Sequence, residues 1–235
     1  MVAGWVALSV HPQPLFAYSA QRANVVLHAR APLPPQAGQL LDDVVRRVER
    51  SPLYDGARTH HVFLCDTPAV FALFALWDRR VGGIAQVHLA GNVFIRPSSV
   101  ERNRVIGPSG RDTTGDRTLA YFIAHEVTHA MTADRIGRWR YFHLAAFQQE
   151  GYADHVAFAR PGPFDFARGR ELLDRDAPEM NPKRSGLYLR HEMTAAYLLQ
   201  RRGMSVDELL ARPIDPSAVL AALRADPDLE TGPSP

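Results

Sequence analysis

Between Thr118 and Ala133 apolar residues recur at spacings of three and four: Leu119, Ile123, Val127, then Ala130 with Met131. That period marks one face of an α-helix. Asp116 stands at its expected N-cap, and Gly137 follows the last periodic residue, Ile136, as its stop. A second amphipathic helix is predicted over 39–50. There Leu40, Leu41, Val44, Val45 and Val48 face inward, and Asp42, Asp43, Arg46, Arg47 and Glu49 face water. Alternating or short apolar runs predict strands at 24–28 and 61–64. Two more pieces, 85–89 and 92–95, are joined at Ala90 and Gly91 as a hairpin or bent ribbon. Thr67 and Pro68 open a short apolar helix reaching Leu76. Helix is expected again from about Arg140 to Ala159, ended by Pro161, Gly162 and Pro163. A further helix is expected over 186–201, with short ones near 206–210 and 216–223.

Strands mixed with helices, followed by helices alone, predict an α+β chain: a small N-terminal sheet, antiparallel or mixed, and a mainly helical C-terminal half. No repeat or linker divides it, so residues 21–225 read as a single domain. Residues 1–20 form an apolar, proline-broken lead, and 226–235 a disordered tail. The apolar run Val2–Val10 is too short to span a bilayer. It lacks the basic start and small-residue cleavage site of a signal peptide. Whether it is a remnant of an anchor or signal stays open, and with it membrane attachment and the choice between cytoplasm and cell envelope.

Composition narrows the classes. A chain of 235 residues with 46% hydrophobic and 22% charged residues is ordinary for a globular protein. Its formal net charge is +2, and its scattered cations are arginines apart from Lys183, so no nucleic-acid partner is expected. Cys65 is the one cysteine. It excludes an intramolecular disulfide, and its apolar setting after Val62, Phe63 and Leu64 suggests a buried, inert thiol.

Candidate chemistry concentrates on the first helix, in His125, Glu126, Val127, Thr128 and His129. Histidines four residues apart share a helix face and can both reach one tetrahedral ion about 2 Å from each ring nitrogen. Glu126 is offset around the helix, placed to touch a water held by the metal. This is the H-E-x-x-H arrangement of a zinc hydrolase, with Glu126 as general base. Alone, the pentapeptide also fits two surface histidines beside a solvated glutamate. A zinc site needs a third protein ligand with one position left open. Glu150 is the carboxylate offered by the next helical segment, and Asp154 sits one turn beyond it. Glu150 would bind the ion, and Asp154 would accept the free ring N–H of a ligand histidine. His60, His61 and His88 read as strand residues rather than ligands.

His125-Glu126-x-x-His129 followed by Glu150-Gly151-x-Ala153-Asp154 resembles the gluzincin branch of zinc metallopeptidases, whose second helix brings a glutamate within E-G-x-A-[DE] to the metal. The resemblance covers about residues 115–160. It implies a zincin-like fold with a cleft between the sheet's edge strand and the helical half. It also implies His125, His129 and Glu150 as ligands of Zn2+, Glu126 as base and Asp154 as their outer carboxylate. Phe147 stands where many relatives carry tryptophan. The metzincin pattern is excluded, because Thr132 and Arg135 occupy the places of its glycine and histidine. Relatives supply an oxyanion-binding tyrosine from a later helix, which makes Tyr188 the candidate here and Tyr197 its competitor.

The expected activity is metal-assisted hydrolysis of peptide bonds in a peptide or protein substrate. Two alternatives stand beside it: a zinc amidase acting on cell-wall or small-molecule amides, and a non-catalytic binding module. Residues 84–95 are expected at the sheet edge beside the cleft, with Gly82, Gly83 and Gly91 leaving backbone accessible to an extended substrate.

Overall fold

In the computed structural model, which describes residues 2–76 and 81–229, about 51% of the chain is helical and one small mixed sheet completes an α+β architecture. The chain falls into two compact units. The first runs to Arg138 and takes in Val156–Phe158; the second comprises Trp139–His155 and the chain from Ala159 onward.

The first unit opens with helix α1 (Val2–Val10), then β1 (Tyr18–Arg22), β2 (Val25–Ala29), α2 (Ala37–Val48), β3 (His60–Leu64) and α3 (Pro68–Phe74). A hairpin of β4 (Gly83–Ala85) and β5 (Val93–Ile95) follows. A two-stranded ribbon of β6 (Ser98–Ser99) and β7 (Arg104–Val105) then leads to α4 (Leu119–Ile136). The five-stranded sheet has the order β1-β2-β3-β5-β4. Its three inner strands are parallel, and each edge strand is antiparallel to its neighbour.

Alternation along the strands sorts the side chains by face. Val25, Leu27, Val62, Leu64, Val93 and Ile95 pack with Leu40, Leu41, Val44 and Val48 of α2 and with Leu119, Ile123 and Val127 of α4. On the opposite face Phe63 and Phe94 stack among Phe16, Phe71 and Phe74. Helix α1 is tied to this unit: the Trp5 indole donates to the Leu73 carbonyl at 2.8 Å, and the Asn92 amide donates to the Ser9 carbonyl at 2.9 Å. Among the described residues, no helix is long and apolar enough to cross a membrane.

Several sequence expectations are revised here. Strand β1 is absent from the apolar pattern because it is an exposed edge strand with no buried residue. The piece expected at 85–89 stops at Ala85. The Gln86 carbonyl accepts from the amides of Leu89 and Gly91 and turns the chain back. Thr118, not Asp116, caps α4: its extended backbone lets its hydroxyl accept from the Tyr121 amide at 3.1 Å. Gly137, at φ 85°, stops the helix as expected. Every residue from Leu119 to Ala133 is buried, so α4 is a core helix rather than one with a single apolar stripe.

The second unit begins with α5 (Arg138–His143), which shares its first residue with the first unit, and a π-turn (Phe147–Gly151) that runs into α6 (Tyr152–Phe158). The single helix expected over 140–159 is therefore broken. Gln148 supplies the reason. It is fully buried; its side-chain oxygen accepts from the amides of Ala145 and Ile214, and its amide donates to the carbonyls of Leu209 and Arg212. Four bonds on one buried amide hold the chain wide at this turn. The last turn of α6 belongs to the first unit, where Arg47 of α2, paired with Asp43, donates to the Ala157 carbonyl.

Helices α7 (Phe166–Asp174), α8 (Pro182–Ser185), α9 (Leu189–Ala196), α10 (Val206–Ala211) and α11 (Pro216–Ala225) complete the second unit. Phe164 and Phe166 pack within it, Phe166 edge-on to Tyr197. A short turn at Pro227–Leu229 buries Leu229, so ordered chain runs past the boundary read at 226; residues 230–235 of the expected tail lie outside the described residues.

Candidate metal site

Helix α4 carries His125, Glu126 and His129, all buried although all polar. The two imidazoles are one turn apart, and their Nε2 atoms meet at 3.1 Å with the rings at 84° to each other. Helical spacing alone produces this convergence. Thr128 and Thr132 occupy the same helix but turn their hydroxyls back to the carbonyls of Ala124 and Thr128, which keeps them out of competition.

Glu150 lies in the π-turn of the second unit and is half-buried. One ligand atom from each of His125, His129 and Glu150 lies within 4.8 Å of the other two, so the group could hold a metal ion. The fit can be tested on the distances. Donors about 2.0–2.2 Å from a tetrahedral ion stand roughly 3.3–3.5 Å apart. The 3.1 Å between the histidine nitrogens is close to that edge length, and a Glu150 carboxylate oxygen lies within 4.8 Å of both. The residues fit.

The Glu150 turn is held by its neighbours within the second unit. A Cβ on Gly151 would stand 2.2 Å from the His191 carbonyl oxygen, so α9 crosses the turn in backbone contact and only glycine fits. The His191 ring is left near Glu150 and Asp154. Burial and Arg190 push its pKa down, while those two carboxylates push it up. Nothing in the spacing of His191 relative to Glu150 along the chain signals this neighbourhood. Asp154, one turn past Glu150 on α6, is 2% exposed, a setting in which an ordinary surface charge is not found.

Tyr188 sits at the N-cap position of α9, with its ring 5.8 Å from that of His191 at 29°. Tyr197 is 1% exposed, and its hydroxyl donates to Asp226 at 3.1 Å. Burial first, then Asp226, raises its pKa. Tyr197 is thus committed to the packing of the second unit. Close by, Arg160 forms a two-pronged ion pair with the buried Glu192 at 2.9 and 3.0 Å.

On the first unit's edge, β4 lies against α4. A Cβ on Gly83 would stand 2.8 Å from Glu126 Cγ, and one on Gly82 would stand 2.2 Å from the Phe122 ring. The hairpin expected at 84–95 is present and β4 is an edge strand, but Gly83 is buried against Glu126 rather than open to solvent. His60, His61 and His88 stay outside the metal group. His60 is buried, the His61 ring meets that of His28 at 3.0 Å, and His88 lies exposed in the hairpin turn. Burial pushes the Cys65 thiol pKa up, which leaves it unreactive. No protein-family model, curated protein or solved structure matches this chain.

Proposed function

We propose that the protein is a zinc-dependent hydrolase that cleaves peptide bonds, a zincin-like enzyme of gluzincin type. The observation that carries this reading is the convergence of His125, His129 and Glu150 beside a glutamate, Glu126, that is not a member of the metal group. A purely structural metal site has no use for that extra buried carboxylate. Two imidazoles and one carboxylate also leave the open fourth position of catalytic zinc sites.

His125, His129 and Glu150 would hold the ion. Zinc, when bound, supplies Lewis acidity that makes a water acidic near neutral pH and polarises the scissile carbonyl. Glu126 takes the proton from the attacking water and passes it to the leaving amine nitrogen as the C–N bond breaks. Burial keeps bulk water from competing for that proton. Asp154 orients the metal group through a hydrogen bond, as outer carboxylates do for ligand histidines. Tyr188 donates its phenolic hydrogen to the oxygen that gains negative charge, without bringing charge of its own. An extended substrate lies along the β4 edge by strand addition.

Metal analysis of the purified protein together with a peptide-library digest tests the reading. One zinc per chain with peptide cleavage is expected. A zinc-loaded protein that ignores peptides but opens cell-wall amides moves the activity to an amidase. A protein that binds no zinc and turns over neither substrate refutes the proposal.

A further inference from the structure

Gly83 has no backbone reason to be glycine. It is the first residue of strand β4, paired with Ile95, and its φ is not in the left-handed region. What excludes alanine is space: an added Cβ would stand 2.8 Å from Glu126 Cγ, 3.2 Å from Glu126 Oε1 and 2.8 Å from Ile95 Cδ1. Contacts under 3.0 Å oblige something to move. Gly82 repeats the arrangement one helical turn earlier, against the ring of Phe122. Phe122 and Glu126 are four residues apart and share a face of α4. The two glycines therefore form a notch in the edge strand that seats two successive turns of α4.

We propose that Gly83 is a positioning residue for Glu126, setting where its carboxylate stands by leaving no volume for a side chain on the strand. This rests on the hydrolase reading for what Glu126 does, though not for where it is held. The Ile95 contact is made by Cδ1, the far end of its side chain, but the Glu126 contact is made by Cγ, which carries the carboxyl group, so an added methyl displaces Glu126 whether or not Ile95 moves. Displacing a catalytic group by about 1 Å costs up to a hundredfold in rate. His125 and His129 do not touch Gly83 in this way, so metal binding should be spared.

The test compares the wild type, Gly83→Ala, and Ile95→Val as a control that deletes Cδ1 and leaves the Glu126 side of the notch as it is. Zinc content should stay at one per chain in all three. In Gly83→Ala, kcat should fall about tenfold to a hundredfold with KM nearly unchanged, while Ile95→Val should keep most of it. A 13C-carboxyl NMR spectrum of the zinc-loaded protein, with the Glu126 signal assigned by its disappearance in Glu126→Gln, reads the carboxylate without any substrate. The Glu126 signal should move in Gly83→Ala and stay in place in Ile95→Val. An unmoved Glu126 signal or an undiminished kcat in Gly83→Ala overturns the proposal. If the wild type cleaves no peptide, the hydrolase reading fails while the NMR comparison still decides the role of Gly83.

Discussion

The Nε2 atoms of His125 and His129 stand 3.1 Å apart across one turn of a buried helix, their rings nearly perpendicular. As a hydrogen bond this contact requires one ring to give up its acceptor nitrogen. As two ligands of one ion, both rings use the nitrogens already facing the same point.

Changing His125 or His129 to Ala should abolish stoichiometric zinc. Glu126→Gln should keep zinc and lose hydrolysis by several orders of magnitude, since the carboxylate acts on protons rather than on the ion. Metal analysis and turnover on the same preparations check both. Full zinc occupancy in both histidine variants would move the site elsewhere, and near wild-type turnover in the glutamine variant would remove Glu126 as base.

Tyr188→Phe removes one oxygen and little packing. Turnover should fall on the order of a hundredfold with zinc and substrate binding nearly unchanged, as for loss of one oxyanion donor. Tyr197→Phe should behave differently: it breaks the bond to Asp226 and lowers the melting temperature, leaving the chemical step alone. The opposite pattern would assign the role to Tyr197.

Asp154→Ala should weaken zinc binding or activity about tenfold to a hundredfold, the range typical of outer carboxylates. A zinc titration of the variant that overlays the wild type, with equal turnover, would show that Asp154 is buried for packing alone.

Arg160→Ala should destabilise the second unit sharply. Glu192 is 1% exposed, and burial already raises its pKa against the opposing pull of Arg160. Arg160 is itself 38% exposed, so leaving Glu192 without it costs on the order of 1–3 kcal/mol, whereas replacing both partners by apolar groups costs less. Denaturant unfolding of Arg160→Ala and of Arg160→Met with Glu192→Leu should therefore rank the double variant as the more stable. Equal stability would mean that Glu192 finds other compensation.

Acid should destabilise the first unit through His28 and His60. Burial, with His61 for His28 and Arg58 for His60, lowers both pKa values from 6.5 to about 4. Above pH 6.5 neither state binds the proton and nothing is lost. As pH falls from 6.5 to about 4 the unfolded chain charges first, so stability declines over that window and levels below it. Each site is worth on the order of 1–3 kcal/mol. His60→Asn should flatten the decline in equilibrium unfolding while leaving the metal ligands untouched; an unchanged slope would assign the acid sensitivity to other groups.

Local physics made much of this protein legible before folding. A helix needs only its own 3.6-residue period, so α2 and α4 were readable, and the facing of His125 and His129 follows from their spacing. Gly137 as a stop and Thr67 with Pro68 as a start are equally local. The sequence pattern also anticipated the small sheet and the hairpin at its edge, because apolar alternation marks half-buried strands. It overlooked β1, whose residues are exposed and carry no such alternation. The rest depended on residues far apart in the chain. Gln148 bends its segment into a π-turn by bonding to groups more than sixty residues away. Glu150 reaches the histidines, His191 joins Glu150 and Asp154, and Gly83 touches Glu126 only once the chain is folded. Such contacts have no period to betray them; shape and packing of distant segments decide them, and those exist only in the tertiary structure.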